Sequence, residues 1–327
     1  MKNSKPLVLM TYELPENWVG DLLNEYTVIK GLPEKRGLDK NLIIHLDQVE
    51  GILCLLDDPL PGNLLKKAPN LKVVSTMAVG VDNIDVKTCT RLRIPVGHTP
   101  GVLTEGTADL TVALLLAVCR QLFTASKDAR QGRWTNWDPT GWLGVDIKNS
   151  TVGIIGLGKI GTAVGERLKG FGAKIIFTNR SPLPEKIISL NAKQVSLDEL
   201  LKTSDFICLH TPLTENTRNL IDENEFQKMK PSAILINAAR GPVVNPSALF
   251  RALKNGQIRA AGLDVTDPEP LPSDHPLFEL DNCLITPHIG SATIQTRKTM
   301  ALMAIENLKA GLTGTQLPYC VNPEVYQ

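Results

Sequence analysis

Three polar residues with acid–base or anion-binding chemistry each follow an apolar run in the second half of the chain. Arg240 follows ILINAA, Glu269 lies in GLDVTDPEPL, and His288 follows LITP. If these runs are parallel strands, the three side chains emerge where open α/β sheets bind ligands. Each has a plainer interpretation on its own: a solvated arginine, a loop glutamate, a structural histidine. Their recurrence at three strand ends favours one shared site.

Together the three residue types suit the reduction of a keto acid. A guanidinium stays charged and pairs with a carboxylate through two parallel hydrogen bonds. An imidazole gives and retakes a proton near neutrality, and a neighbouring carboxylate favours its charged form and orients it. We predict that Arg240 binds the substrate and that Glu269 and His288 form the acid–base pair.

A glycine-rich loop indicates where a cofactor binds. Gly156-Leu-Gly158-Lys-Ile-Gly161 directly follows the apolar run Val152–Ile155 and opens an amphipathic segment. In this strand–loop–helix context G-x-G-x-x-G is typical of dinucleotide sites. The first glycine permits a tight turn, the second lets a pyrophosphate approach, and the third lets helix and strand pack closely. The helix N-terminus then attracts the phosphates.

The next strand bears on the choice between the two nicotinamide cofactors. Lys174–Thr178 is followed by Asn179-Arg180-Ser181, where NAD sites place an acidic residue that accepts from the ribose 2′-hydroxyl. An arginine instead offers charged donors to a 2′-phosphate. We therefore predict NADP(H), with NAD(H) as the weaker alternative. The plainer interpretation is a solvated arginine on a turn.

The elements that position these residues alternate between short apolar runs and helical stretches. Such alternation predicts βαβ units, and two series of them predict two α/β domains with parallel sheets. The predicted strands are Leu7–Met10, Gly51–Leu56, Lys72–Met77, Ile94–Gly97, Val152–Ile155, Lys174–Thr178, Phe206–His210, Ala233–Asn237, Ala260–Val265 and Leu284–Thr286. Long helices are predicted over 104–131 and 294–312, with an irregular, tryptophan-bearing arm over 132–149.

Composition excludes several other classes of protein. The 327 residues are 43% hydrophobic with a net charge of +1, so no basic field indicates a nucleic-acid partner. The six cysteines lack metal-ligand spacing, which favours a reducing compartment and no metal. The N-terminus lacks a signal-peptide core, and the longest apolar run, Val112–Cys119, is too short for a bilayer. We expect a cytoplasmic protein.

The motifs GLGKIG, HTPLTENT, NAARGPVV, AAGLDVTDPEP and PHIGSAT together resemble the D-isomer-specific 2-hydroxyacid dehydrogenase family over nearly the whole chain. Within it the chain most resembles glyoxylate/hydroxypyruvate reductases, also called 2-ketogluconate reductases. The resemblance implies catalysis by Arg240, Glu269 and His288. It implies that Leu55, Val79 and Gly80 bind the substrate together with Arg240 and His288. The implied cofactor residues are Thr107, Gly156, Gly158, Lys159, Ile160, Gly161, Asn179, Arg180, Ser181, Pro212, Thr217, Ala238, Asp264 and Gly290.

The resemblance also implies a domain order. A Rossmann cofactor domain over 101–288, including a dimerisation helix and the arm, is inserted into a flavodoxin-like substrate domain built from 1–100 and 289–327. A homodimer follows from the same resemblance, in which Trp137 or Trp142 of one copy closes the partner's site.

Three related groups of proteins are alternatives to a glyoxylate/hydroxypyruvate reductase. Formate dehydrogenases resemble the family but carry Gln at the position of Glu269, which disfavours formate as the substrate. Phosphoglycerate dehydrogenases often keep an acidic NAD discriminator and remain a weaker alternative. The family's transcriptional corepressors retain the catalytic set and use the fold to sense nucleotides, so motifs alone leave a binding role open.

Overall fold

The computed structural model describes residues 5–32, 37–180 and 190–327, and the chain divides into two units. The terminal unit consists of Met1–Leu103 and Thr293–Gln327, and the central unit consists of Thr104–Ala292. Ser181, one of the expected cofactor residues, lies outside the described residues.

The terminal unit is built on a five-stranded parallel sheet in the order β2-β1-β3-β4-β5. This is the flavodoxin-like strand order. Its elements are β1 (Leu7–Met10), α1 (Glu16–Val19), α2 (Leu22–Glu25), β2 (Thr27–Lys30), α3 (Lys40–Ile43), β3 (Gly51–Cys54), α4 (Gly62–Leu65), β4 (Val73–Thr76), α5 (Val86–Arg91), β5 (Val96–Gly97) and the carboxyl-terminal helix α12 (Ile294–Leu312).

The central unit is built on a seven-stranded parallel sheet in the order β12-β11-β10-β9-β6-β7-β8. Its elements are α6 (Thr104–Cys119), α7 (Leu122–Arg130), β6 (Thr151–Ile155), α8 (Lys159–Gly170), β7 (Lys174–Thr178), β8 (Lys193–Gln194), α9 (Leu197–Thr203), β9 (Phe206–Leu209), α10 (Glu223–Lys228), β10 (Ile234–Asn237), α11 (Pro246–Lys254), β11 (Ala260–Leu263) and β12 (Cys283–Ile285). The strand order reverses between β6 and β9, and such a switch point is where doubly wound sheets bind nucleotides.

Both faces of the central sheet are buried, which explains its nearly continuous apolar strands. In β9, Phe206 and Cys208 face a core shared with α6 and α8, whereas Ile207 and Leu209 face a core shared with α9, α10 and α11. Successive strand residues point to opposite faces, so a strand covered by helices on both sides must be apolar throughout. The predicted fold class, two parallel-sheet α/β domains, is confirmed.

One predicted helix is wrong in its extent. Residues 104–131 form two helices, α6 and α7, whose axes differ by 60°. The chain turns at Gln121, which has a left-handed φ of 51°. The carbonyl oxygen of Cys119 accepts from the N–H of Val145 at 2.9 Å, so the returning arm takes a hydrogen bond that a continuing helix would use. Strands β2 and β8 were not predicted.

Within the described residues, no single helix is both long and apolar enough to cross a bilayer. The bent pair α6 and α7 reaches that length and composition only when the two are taken together.

Candidate active site

The predicted acid–base pair is in direct contact. His288 Nδ1 lies 2.5 Å from Glu269 Oε1, and the two side chains are 21% and 30% exposed. The other oxygen of Glu269 accepts from the backbone N–H of Thr266 at 3.4 Å. Glu269 follows β11 and His288 follows β12, and these strands are neighbours. The carboxylate therefore fixes which ring nitrogen of His288 faces the protein.

The segment that carries His288 is anchored by Asp264. The Asp264 side chain is 2% exposed and accepts from Thr286 Oγ1 at 2.7 Å and from the N–H groups of Ile289 and Gly290, each at 2.8 Å. His288 itself has a left-handed φ of 52°, and its N–H donates to the Asp264 carbonyl at 2.9 Å. Burial raises the pKa of the Asp264 carboxyl above its usual range. The residue expected beside the nicotinamide thus also holds the loop that carries His288.

Arg240 lies three residues after the end of β10 and immediately before a short 3-10 helix, Gly241–Val243. Its carbonyl accepts from Asn237 Nδ2 at 3.0 Å, and its Nη1 donates to the Ala239 carbonyl at 2.8 Å. A Cβ on Gly241 would lie 1.8 Å from the Thr266 carbonyl oxygen. Only glycine therefore lets the loop that carries Arg240 pack against the loop that carries Glu269.

The three glycines of the loop after β6 occupy distinct environments. Gly156 has a φ of 95°, and a Cβ there would lie 2.8 Å from the His210 carbonyl. A Cβ on Gly161 would lie 2.4 Å from the Gly156 carbonyl oxygen, whereas a Cβ on Gly158 would meet nothing within 4 Å. Helix α8 begins with no side-chain cap, which leaves its first N–H groups available to an anion. Lys159 and Ile160 form its first turn.

The turn after β7 is tied to this loop. Asn179 Oδ1 accepts from the Leu157 N–H at 2.6 Å, so this side chain positions the glycine loop, a role that sequence reasoning missed. Arg180 is exposed. A cation on this turn is suited to an anionic group at the ribose.

Other expected cofactor residues order their own segments. Thr217 Oγ1 donates to the Pro212 carbonyl at 2.7 Å and accepts from the Thr214 N–H at 2.7 Å, which closes the loop after β9. Thr107 lies in the first turns of α6, with Oγ1 3.3 Å from where a Cβ on Gly290 would be. Ala238 is half-buried after β10.

His210 is a residue that sequence reasoning missed. It directly follows β9 at the switch point, and both of its ring nitrogens are inaccessible and have no hydrogen-bond partner in the described part of the chain. Burial lowers the pKa of the imidazole to about 4. A signal was present, since this histidine opens HTPLTENT at a strand end.

In the terminal unit, the expected substrate residues follow β3 and β4. Leu55 is half-buried and Val79 is 36% exposed. The N–H groups of Val79 and Gly80 donate to no partner among the described residues, while the Val79 carbonyl lies 3.0 Å from His98 Nδ1. Backbone N–H groups that have no partner within the described chain can donate to an anion such as a carboxylate.

No group of three or more His, Cys, Asp or Glu side chains in the described ranges is arranged to hold a metal ion. The chemistry available is proton transfer by His288 with Glu269, and anion binding by Arg240 and backbone N–H groups.

Comparison with known proteins shows which family the chain resembles. The family model described as D-isomer specific 2-hydroxyacid dehydrogenase, NAD binding domain, matches residues 112–290. The chain is 50% identical over 270 residues to the human glyoxylate reductase/hydroxypyruvate reductase, covering 82% of each chain. It is 42% identical over 326 residues to the glyoxylate reductase of Thermococcus litoralis, covering 98% of each. A crystal structure of an NADPH-dependent glyoxylate/hydroxypyruvate reductase from Sinorhizobium meliloti, in complex with NADP and malonate, superimposes with a TM-score of 0.86 at 30% identity, covering 98% of each chain.

Proposed function

The chain belongs to the D-isomer-specific 2-hydroxyacid dehydrogenase family, and on that premise we propose that it reduces a small 2-keto acid to the D-2-hydroxy acid with NADPH. The observation that carries the proposal is the contact between His288 and Glu269 at the carboxyl edge of a nucleotide-binding sheet. That pair is a proton donor beside a dinucleotide site, which is what carbonyl reduction requires.

Glyoxylate and hydroxypyruvate are the substrates that we propose first. Relatives that are 42–50% identical carry the names of reductases for these acids. Both acids have a carboxylate next to the carbonyl, which suits Arg240. We assign the N–H groups of Val79 and Gly80 to the substrate carboxylate as well. 2-Ketogluconate, which has the same head group and a longer tail, is a further candidate.

The hydride and the proton come to the substrate from different donors. The nicotinamide of bound NADPH would supply a hydride to the keto carbon. His288 donates a proton to the keto oxygen through Nε2, because Glu269 engages Nδ1. Arg240 holds the carboxylate and polarises the adjacent carbonyl. One hydride and one proton added across the C=O bond give the hydroxy acid and NADP⁺.

NADPH is preferred over NADH in this proposal because the ribose turn carries Arg180 and no acidic residue at 179 or 181. A guanidinium can bind the 2′-phosphate, and an acid would repel it. The structurally similar Sinorhizobium meliloti reductase is named NADPH-dependent, which supports the same assignment.

A homodimer forms part of the proposal, with Trp137 reaching the partner's site. Trp137 is 82% exposed, whereas Trp142 Nε1 donates to Asp128 Oδ2 at 2.9 Å within its own protomer. This difference favours Trp137 over Trp142 for the role. Light scattering would give the mass, and Trp137→Ala is expected to raise KM for the keto acid.

The decisive experiment follows NADPH absorbance while glyoxylate, hydroxypyruvate, 2-ketogluconate and 3-phosphohydroxypyruvate are offered in turn, each with NADPH and with NADH. We expect turnover of the first two with NADPH. Best turnover of the phosphorylated acid would favour a phosphoglycerate-type enzyme. Cofactor binding without turnover of any acid would contradict the proposal and favour a nucleotide-sensing role.

A further inference from the structure

The backbone of Leu55 is held on both sides by the side chains of Asp58 and Asn83. The Leu55 N–H donates to Asp58 Oδ2 at 2.7 Å, and the Leu55 carbonyl accepts from Asn83 Nδ2 at 3.0 Å. These bonds restrain the two peptide planes that flank the Leu55 Cα, and therefore the backbone from which its side chain projects. Asn83 and Asp58 therefore act on the residue that we assign to the pocket wall.

Asp58 is a buried carboxylate whose partners come from three segments. Its side chain is 2% exposed. Oδ2 also accepts from the hydroxyl of Thr11, directly after β1, and Oδ1 accepts from the Gly37 N–H at 2.6 Å. With the bond from Leu55, the carboxylate joins the chain after β1, the chain before α3 and the chain after β3. Removing one of these donors would leave a buried side-chain oxygen without that hydrogen bond, which is energetically costly.

Asn83 connects this cluster to the segment after β4. Its Nδ2 donates to the Asp58 carbonyl at 2.7 Å as well as to the Leu55 carbonyl. The backbone carbonyl of Asn83 accepts from the Leu60 N–H at 2.8 Å. Since Asn83 follows Gly80 by three residues, one side chain links the Val79–Gly80 segment to the Leu55–Asp58 segment.

We infer that Asp58 and Asn83 are positioning residues that set substrate selectivity. They fix the spacing between the Val79 and Gly80 N–H groups, which take the carboxylate, and the Leu55 side chain, which meets the other end of the acid. Glyoxylate carries hydrogen at that end and hydroxypyruvate carries a hydroxymethyl group. The hydrogen bonds of Asp58 and Asn83 to Leu55 therefore limit the size of the accepted keto acid. This inference rests on the proposed function.

The test compares Asn83→Ala with the parent enzyme on glyoxylate and hydroxypyruvate at saturating NADPH. The measured quantity is the ratio of the two kcat/KM values, because partial misfolding lowers both values equally and leaves the ratio unchanged. We expect the ratio to move toward hydroxypyruvate by roughly tenfold, through KM, while the Kd for NADPH stays as in the parent. An unchanged ratio would overturn the inference.

Asn70→Ala is the matched control. Asn70 lies in the same unit, and its Nδ2 also donates to a backbone carbonyl, that of Asp47, at 2.6 Å. It precedes β4, at the amino edge of the sheet, and should leave the ratio as in the parent. A shift of equal size in this control would show a general effect of losing such a bond and would overturn the inference.

Thr11→Val tests the same inference if Asn83→Ala does not fold. It keeps the shape of the side chain and removes one donor to Asp58, so we expect a smaller shift of the ratio in the same direction. No shift in a folded Thr11→Val enzyme would also overturn the inference. If the parent reduces neither acid, the proposed function itself fails and the selectivity role fails with it.

Discussion

His288 Nδ1 lies 2.5 Å from Glu269 Oε1, although the two residues belong to loops after different strands. The contact depends on Gly241 and Asp264, which bring the loops after β10, β11 and β12 together. The carboxylate fixes the orientation of the ring, and in the function that we propose the other ring nitrogen transfers the proton.

Replacing His288 tests this arrangement most directly. We expect His288→Asn to lower kcat by roughly 10²–10⁴-fold with little change in the Kd for NADPH, because the residue transfers the proton and does not hold the adenosine. Glu269→Gln keeps the size of the side chain and removes its charge, so we expect a smaller loss, about 10²-fold. Steady-state kinetics and fluorescence titration of the cofactor measure the two quantities.

His275→Asn is the control for these variants. His275 Nδ1 accepts from the Leu277 N–H at 3.2 Å and caps a short 3-10 helix, and asparagine caps equally well. We expect His275→Asn to keep the kcat of the parent enzyme. If His288→Asn also keeps parent-like turnover, the assignment of the proton donor is wrong.

Arg180→Ala tests the cofactor preference. A charged hydrogen bond contributes about 1.5–3 kcal/mol, so we expect KM for NADPH to rise by roughly 10–100-fold while KM for NADH changes little. The matched control is Arg251→Ala, which also removes an exposed arginine. Arg251 Nη2 lies 3.2 Å from Oε2 of Glu223, a residue of α10. An equal rise for both cofactors would show that Arg180 does not bind the 2′-phosphate.

The sequence was most informative where a local pattern determines the geometry. Glycine spacing after β6 predicted three separate roles, and the structure shows a positive φ at Gly156, open space at Gly158 and close packing at Gly161. Likewise, strand ends predicted which loops carry Glu269 and His288. Steric needs of the backbone act within a few residues, so they are visible in one sequence.

Features that depend on distant segments could not be predicted. Helix α6 ends at Cys119 and the chain turns at Gln121 although neither glycine nor proline is present there, because the arm supplies a hydrogen bond to the Cys119 carbonyl from the Val145 N–H. Strand β8 has two exposed residues and therefore no apolar alternation. The bonds of Asp58 and Asn83 join segments up to 47 residues apart, and no spacing rule encodes them.

Alanine at Gly158 and at Gly161 should separate packing from ligand binding. Gly161→Ala places a methyl group 2.4 Å from a carbonyl oxygen, so we expect lower thermal stability even without cofactor. Gly158→Ala meets open space, so stability should hold while the Kd for NADPH rises, since the methyl occupies the approach of the pyrophosphate.

Gly170→Ala is the control, because it also meets nothing within 4 Å and lies at the end of α8. Thermal unfolding with and without NADPH measures both effects. Equal loss of stability in Gly158→Ala and Gly161→Ala would contradict this distinction.

His210 should make stability depend on pH. Its pKa is about 4 in the folded chain and near 6.5 when unfolded. Between these values the unfolded chain binds a proton that the folded chain does not, so the free energy of unfolding falls as pH falls, by about 3 kcal/mol in total. His210→Leu has no imidazole at this position, so its free energy of unfolding should lack this dependence on pH. Urea unfolding at pH 7.5, 6 and 5, followed by tryptophan fluorescence, measures it, with His275→Asn as the control. Identical pH dependence in His210→Leu and the parent would show that the buried imidazole carries no such cost.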